Sequence, residues 1–523
     1  MRTKKQRQEF FQPLPPEKIS LKQAGLVPVE VKKAIKRIKK AVRKKEKVIV
    51  YGDYDADGVC ATALVWETLR ICGADVLPFI PTREEGYGLK VDRLSQMAKK
   101  GVQLVVTVDQ GIVHGRQVAH AKKIGLDIIV TDHHLKGKKK PRAVAVVHTT
   151  HLAGVGVAWF LCRKLLKAFG KKKKASLDLV AIGTITDMVP LLGVNRSLVK
   201  QGLKSLRKTK RIGLDFLYQL ANLEKEKIGT YEIGFIIGPR INASGRVKDP
   251  MDSLRLLCLK RDEEKALVIA KRLNENNRER QLLTSQAAID ARRRWLDSDE
   301  KGELIFVQGE SYHEGVIGLV AQKLSREFYR PAIVVSYGKQ ECRASARSIK
   351  EFNIVEAIRT CSDLLVSYGG HPLAAGFTVE TKKLTLLKSR LQTLAGEQLK
   401  KGQLKPTLKI DTEVALADLT STLLEKFNRF EPFGIGNPAP VLVSRRVKVM
   451  GVRTVGSNGQ HLKLQVMAQD SGAAFETIGF GLGDRYSQLS PEKPIDIVYQ
   501  LTLNEWNGHR SLQLKLKDIK ISG

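Results

Sequence analysis

The sequence predicts an α/β protein: two α/β domains joined by a long helix, followed by a C-terminal OB-type (oligonucleotide-binding) β-barrel. Three observations carry this expectation. Short apolar runs recur, each opening into a polar loop, as parallel strands do: Val48-Ile49-Val50, Leu104-Val105-Val106-Thr107-Val108 and Ile128-Ile129-Val130-Thr131, then Leu304-Ile305-Phe306-Val307 and Ala332-Ile333-Val334-Val335. Residues 263–295 contain neither Gly nor Pro and are rich in Ala, Leu, Glu, Arg and Gln, which reads as one helical strut. From about residue 405 the chain alternates instead, as in Leu462-Lys463-Leu464-Gln465-Val466 and Leu512-Gln513-Leu514-Lys515-Leu516, with hairpin signals at Ser457-Asn458-Gly459 and Asn507-Gly508.

In chain order, residues 1–46 form a basic extension. Within it Val31, Ala34, Ile35, Ile38 and Val42 are spaced as one buried stripe of a helix, with a solvated Lys and Arg face opposite. Residues 47–215 form the first α/β domain, with a helix over 60–70 after its first strand. Thr82 to Gly88 is a polar loop whose Arg83 faces either a phosphate or solvent. Residues 178–190 (DLVAIGTITDMVP) are mostly apolar and carry Asp187 near the end, either a cap or ion-pair partner or a contributor to a metal crevice. Residues 216–300 hold the strut and, before it, a Gly-bounded loop with two arginines, Arg240 and Arg246, suited to phosphate. Residues 301–404 form the second α/β domain, with His313-Glu314-Gly315 and two further loops, Cys342 to Ser348 and Gly369 to Gly376. The Arg, Ser and paired Gly of those loops suit a close-lying phosphate. Residues 405–523 form the barrel, entered through the Gly/Pro-rich connector FEPFGIGNPAP.

Composition narrows the partners. With 523 residues the chain is long enough for three or four domains. Lys plus Arg is 90 against 54 Asp plus Glu, a formal charge of +36, which points to a polyanion because neutralised phosphates release counterions. A basic proteome or a salty cytoplasm is the competing explanation. No apolar run is long enough to span a bilayer, and the basic start lacks an apolar h-region, so no signal peptide and a cytoplasmic location are expected. The six cysteines form no C-x-x-C pair, which argues against a zinc ribbon or a disulfide framework.

The chemistry centres on YGDYDADG. Asp53, Asp55 and Asp57 follow the first strand at every second position, Asp109 follows the next and Asp132-His133-His134 the third. Loops at the carboxyl ends of parallel strands converge, so five Asp and two His are expected in one crevice. Each acid alone also suits a helix N-cap. Crowded carboxylates need cations. Imidazole among carboxylates tilts the choice of ion to Mn²⁺ over Mg²⁺, and the number of ligands to two ions. Two such ions suit in-line displacement at phosphorus, so the residues read as a metal-dependent phosphoesterase acting on a polyanion. The absence of a placed thiolate disfavours a zinc hydrolase, and D-Y-D-A-D-G in place of G-x-G-x-x-G disfavours a dinucleotide-binding oxidoreductase.

With these motifs assembled, the chain resembles the DHH phosphoesterases, and within them the RecJ-type single-stranded-DNA exonucleases. YGDYDADG, VDQG, TDHH, GTITDMVP, GPRINASGR, HEGVIG, SARS, GGHPLAAGF and PFGIGNP occur in the family's order, and the match runs from Tyr51 to the C-terminal barrel, most of the chain. The resemblance implies a DHH domain and a DHH-associated domain with substrate in the cleft between them. It implies two-metal hydrolysis of single-stranded DNA, 5′ to 3′, to mononucleotides, in DNA repair and recombination. On the matching positions Asp53, Asp55, Asp57, Asp109, His133 and Asp187 would bind metal, and His134 would bind metal or support the site and contact the scissile phosphate. Asp55, Asp57, Asp109, Asp132, His133 and His134 would form the catalytic set. Arg83, Arg240, Arg246, His313, Ser345, Arg347, Gly370 and His371 would hold DNA, and the barrel would grip the strand by charge and stacking. A helicase and a single-strand-binding protein are loading partners to consider, and a monomer is expected. The chain departs from the family at Val147-His148-Thr149-Thr150, where an Asn-Pro segment is usual, and at Tyr312, where Trp is usual. Two alternatives stay open: a DHH enzyme for short oligonucleotides or cyclic dinucleotides, and a non-catalytic nucleic-acid-binding subunit.

Overall fold

The computed structural model describes residues 10–137, 139–299, 301–399, 404–490, 493–506 and 508–521. The chain forms two compact units, residues 15–187 with 201–406, and residues 1–14 with 188–200 and 407–523. The start of the basic extension and Asn507 of the expected turn lie outside the described residues.

The first unit opens with a five-stranded parallel sheet of order β2-β1-β3-β4-β5. Its strands are β1 (Lys47–Tyr51), β2 (Asp75–Phe79), β3 (Val102–Val108), β4 (Asp127–Asp132) and β5 (Ala145–His148). Apolar side chains are buried along most of β3 and β4, as expected of central strands covered on both faces. The chain adds β2 on one side of β1 and then crosses to add β3 on the other. This puts the topological switch point between β1 and β3, the two strands that lead into Asp53 and Asp109.

The helix after β1 runs Ala56–Ile71 and starts four residues earlier than the sequence suggested, because Asp55 is its N-cap and accepts from the Gly58 amide at 2.9 Å. The three acids therefore do not share one loop: Asp57 already lies in the first helical turn. In the extension, the helix Pro28–Arg43 buries Val31, Ala34, Arg37, Ile38 and Ala41, so the stripe is rotated and Arg37 replaces Ile35. Arg37 is paired there with Glu46 at 2.6 Å and Asp127 at 2.5 Å.

The strut is one helix, Glu263–Leu296, capped by Asp262 accepting from Lys265 N. Its first half packs on the helices Ile212–Leu220 and Gly238–Val247, and its second half on β6 and the helix Ile317–Phe328. The second sheet has order β6-β7-β8-β10-β9, with β6 (Ile305–Gly309), β7 (Ala332–Ser336), β8 (Glu341–Arg347), β9 (Leu365–His371) and β10 (Ala374–Glu380).

Three segments expected as loops are regular structure. Residues 238–246 form the helix Gly238–Val247, entered by a π-helical turn, Ile233–Ile237. The glycine there serves close packing, since a Cβ on Gly245 would strike the Tyr54 carbonyl. Residues 342–347 lie in β8, where Cys342, Ala344 and Ala346 face the core and Arg343, Ser345 and Arg347 the other side. Gly369-Gly370-His371 ends β9, pairing with β10 through Gly370↔Ala375 and His371↔Ala374.

In the second unit a short β11 (Thr412–Glu413) leads into a closed barrel of β12 (Leu442–Val455), β13 (His461–Met467), β14 (Ala474–Gly479), β16 (His509–Ile521) and β15 (Ile495–Trp506), with β15 pairing back to β12. The β14–β16 pair is parallel and the other neighbours are antiparallel. Leu442, Val449, Leu464, Val466, Ile497, Tyr499 and Leu514 fill it. The connector 430–440 joins residues 191–196 within this unit: Leu191 N donates to Ile435 O at 2.7 Å, and buried Arg196 donates to the carbonyls of Phe10, Glu431 and Pro432. All six cysteines are free thiols, five of them buried.

Candidate active site

Every predicted metal ligand converges at the carboxyl ends of β1, β3 and β4. Three overlapping triads have ligand atoms mutually within 4.8 Å: Asp53–Asp55–Asp109, Asp57–His133–Asp187, and Asp109–His133–His134. Local structure explains how so much charge is packed. Asp109 adopts φ +60°, a left-handed conformation rare outside Gly and typical of functional positions. Gln110, fully buried, donates to the Gly52 carbonyl and ties this loop to β1. Asp57 accepts from the amides of Gly154 (2.6 Å) and Val155 (3.0 Å) at the start of the helix Gly154–Ala168. Asp187 is the C-cap of the helix Asp178–Thr186.

The electrostatics call for cations. Asp53, Asp57, Asp109 and Asp187 are all held protonated well above the ordinary aspartate range, by burial first and then by one another's charge and that of Asp55. Burial, reinforced by the positive charge of His134, pushes His133 down to about 4, leaving a neutral imidazole. His133 Nε2 stands 3.1 Å from Asp109 Oδ1 and 3.6 Å from Asp187 Oδ2. Yet those two buried oxygens have no hydrogen-bond partner among the described residues. Two carboxyl oxygens and an imidazole nitrogen crowded at such separations, whose protons a cation would displace, fit a donor set for a hard-to-borderline divalent ion.

Asp132 does different work. Its Oδ1 accepts from the amides of His133 (2.7 Å) and His134 (3.0 Å) and from His134 Nδ1 (2.8 Å), and its Oδ2 accepts from Ile112 N (2.8 Å). Burial would raise its pKa, but these donors outweigh it and the net shift is downward. Burial would lower that of His134, but the Asp132 contact raises it. Asp132 is thus a positioning residue for a protonatable His134. The atypical segment at 147–150 contributes too: His148 Nε2–H donates to the His134 carbonyl at 2.7 Å.

Facing the carboxylates is a group of arginines with too few acids. Arg83 lies over the Tyr54 ring at 4.7 Å and donates to Gly245 O, and Arg246 donates to Gly315 O at 3.1 Å. Arg246 falls to about 10, by burial and then by repulsion from Arg83, Arg280 and Arg347, partly offset by Asp55. Arg347 donates to Ser345 Oγ (3.2 Å), and a Cβ on Gly318 would crowd both side chains. His313 lines the same cleft as Arg83 and Arg246. His371 feels the charge of His134, and Gly370, at φ +148°, has no room for a Cβ beside Ala374 and Ala375. Arg240 donates to Asn274 Oδ1 and Ile236 O and is felt by Arg280 of the same group. Sequence reasoning missed Arg280, whose buried Nε has no hydrogen-bond partner among the described residues, and Asn242, which accepts from the Ala56 amide at 2.7 Å. The signal for the first was a run of buried polar residues, Asn274, Asn276 and Asn277, on the inner side of the strut. Tyr312 uses the hydroxyl that distinguishes it from Trp to donate to Asp290 Oδ2 of the strut at 2.7 Å.

Comparison with known proteins agrees with this geometry. The DHH family N-terminal domain matches residues 47–184, the DHHA1 domain residues 301–397, and the RecJ OB domain residues 410–518. The single-stranded-DNA-specific exonuclease RecJ of Escherichia coli is 32% identical over 94% of this chain and 90% of its own length. That of Bacillus subtilis is 36% identical over 94% of this chain, which spans 63% of the relative's length. The Thermus thermophilus RecJ crystal structure with Mn²⁺ superposes with a TM-score of 0.82 at 29% identity, covering 94% of this chain and 71% of that one. A RecJ structure bound to manganese gives 0.61 at 34% identity, over 70% and 94%. Fold and site define a metal-dependent DHH phosphoesterase carrying an OB barrel. More narrowly, the chain belongs to the family of RecJ single-stranded-DNA-specific exonucleases.

Proposed function

We propose that the chain hydrolyses single-stranded DNA from the 5′ end to mononucleotides, using two Mn²⁺ or Mg²⁺ ions. The observation that carries this is one cleft lined on one side by crowded carboxyl and imidazole ligands and on the other by guanidinium groups in excess of nearby acids. Asp53, Asp55, Asp57, Asp109, His133 and Asp187 hold the ions. When bound, the ions stabilise charge at phosphorus and acidify water. His134, protonated against Asp132, donates to a scissile phosphate oxygen. Arg83, Arg246, Arg347, Ser345, His313 and the Gly370-His371 turn fix the terminal phosphate, Arg240 the strand beside it, and the barrel grips the strand by charge and stacking.

The division into a basic extension (1–46), DHH domain (47–215), helical connector (216–300), DHH-associated domain (301–404) and barrel (405–523) is part of the same proposal. So are a role in repair and recombination, a monomeric state, a cytoplasmic location, and loading by a helicase and a single-strand-binding protein; these rest on the family resemblance. Among the described residues no helix is long and apolar enough to cross a membrane.

The test is time-resolved digestion of a 3′-labelled single strand with Mn²⁺, Mg²⁺ or chelator, beside Asp55→Ala. Progressive shortening from the 5′ end, lost with chelator and in the variant, is expected. A strand bound but left at full length under every condition overturns the nuclease reading. Cleavage confined to dinucleotides or cyclic dinucleotides would replace the long strand as substrate.

A further inference from the structure

Tyr231 and Phe235 stand one turn apart where the chain enters the Gly238–Val247 helix. Their rings are stacked, with centroids 5.0 Å apart and planes 29° from parallel. Both remain open to solvent, Tyr231 57% and Phe235 70% exposed. The turn that carries them is firmly seated, because Ile233 and Ile237 on its other side are completely buried. Phe235 lies in the π-helical turn Ile233–Ile237, a rare conformation that recurs at functional positions, and Tyr231 in the helical turn just before it. Two large apolar rings held outward on an anchored turn are not a by-product of core packing.

Their surroundings narrow what they bind. A Cβ on Gly234 would lie 3.7 Å from Ile185 Cγ2, and one on Gly238 would strike Thr186, so the turn packs against the end of the helix that delivers Asp187. On the other side Arg240 donates to the carbonyl of Ile236 within the turn, at 2.8 Å. Arg240 and Arg278 repel one another, as do Arg240 and Arg280. The turn that carries the flat apolar faces is therefore bonded to one of a group of cations and packed against the helix whose C-cap is a metal-ligand carboxylate. A single nucleic-acid strand offers the complement, apolar base faces alternating with phosphates. A duplex does not, because its base faces are already covered by neighbouring pairs.

We propose that Tyr231 and Phe235 form a stacking platform for unpaired bases of the strand next to the cleavage site. The inference rests on the nuclease reading for its choice of ligand. It gives the enzyme a reason to reject duplex that is separate from the width of the cleft: only an unpaired base can lie on the rings.

The test measures binding in chelator, so that no strand is cut, by anisotropy of a 3′-labelled oligothymidylate. A single base is removed at each position in turn by substituting an abasic sugar. The wild type is expected to lose roughly 5- to 100-fold in affinity at one or two positions, the range for single base–aromatic stacks. The double variant Tyr231→Ala/Phe235→Ala is expected to bind the intact strand more weakly by a similar factor and to show no further loss at those positions. Phe235→Trp should keep the positional loss. The platform is overturned if the double variant discriminates base from abasic sugar as the wild type does. It is equally overturned if the double variant weakens intact and abasic strands alike at every position while the wild type shows no sensitive position. Failure of Mn²⁺ to trigger shortening of a strand that binds with the expected pattern would sink the nuclease reading and leave the platform standing.

Discussion

Replacing Gly154 by Ala tests the centre without touching a ligand. The added methyl would lie 2.7 Å from both Cβ and Cγ of Asp109, where ordinary contact begins near 3.4 Å. One of the two must move by at least about 0.7 Å. Asp109 has little freedom, being 2% exposed and held at φ +60°. The alternative is a retreat of the helix start, whose amides at 154 and 155 hold both oxygens of Asp57. Either movement displaces a ligand. A misplacement of about 1 Å at a reacting centre costs on the order of 100-fold, and overpacking costs ~1–3 kcal/mol of stability. Gly154→Ala is therefore expected to cut the Mn²⁺-dependent rate of strand degradation by roughly 10- to 100-fold. Gly183→Ala, whose methyl would meet Asp57 Oδ1 at 2.5 Å and Val155 Cγ1 at 2.7 Å, should act alike. Gly396→Ala is the control, in an exposed helical position with nothing within 4 Å. It should gain ~0.5–1 kcal/mol and keep full activity. Wild-type rate and Mn²⁺ affinity in Gly154→Ala would refute the packing argument.

The remaining predictions concern charge. Because Asp53, Asp57, Asp109 and Asp187 bind protons more tightly folded than unfolded, the metal-free protein should be most stable below about pH 4 as far as these groups are concerned. It should lose that stability as pH rises through their elevated values. Thermal melts in chelator across this range should fall, and Mn²⁺ should flatten the curve; a chelator curve that does not fall contradicts the assignment. Asp132→Asn exchanges an acceptor for a donor against His134 or Ile112, so activity should drop roughly 10- to 100-fold while calorimetry still detects Mn²⁺ binding. Arg196→Ala removes a side chain 1% exposed that donates to three carbonyls and lies 4.0 Å over Phe10. A loss of roughly 2–4 kcal/mol in urea unfolding is expected, and a loss under ~1 kcal/mol would speak against its role.

Much of the centre was legible because a parallel sheet sends the ends of its strands to one edge, so acids after β1, β3 and β4 had to meet. Asp55 shows that a bland and a functional reading can both hold, since it caps a helix and faces the metal triads. The arginine group was less legible: residues 83, 246, 280 and 347 are brought together only by tertiary packing, in which the strut joins the helix Gly238–Val247 to β6 and the helix Ile317–Phe328. Glycine was the main source of misreading. At 238, 245, 369 and 370 it suggested loops, whereas the structure shows a helix and a strand, and at 238, 245 and 370 the missing side chain makes room for a neighbour. The Tyr231–Phe235 pair was not legible because a helical stretch does not announce which of its residues tertiary packing leaves facing outward.

The barrel borrows from the other end of the chain. Leu191 and Arg196, encoded just past Asp187, and Phe10 near the start all join the 430–440 connector. A gene cut before residue 405 would sever those stitches and leave the excised piece with an unfinished flank. Evolution could not readily have traded this barrel as a cassette, and sequence change at the connector is expected to track change at 188–200 more closely than change in the neighbouring DHH-associated domain.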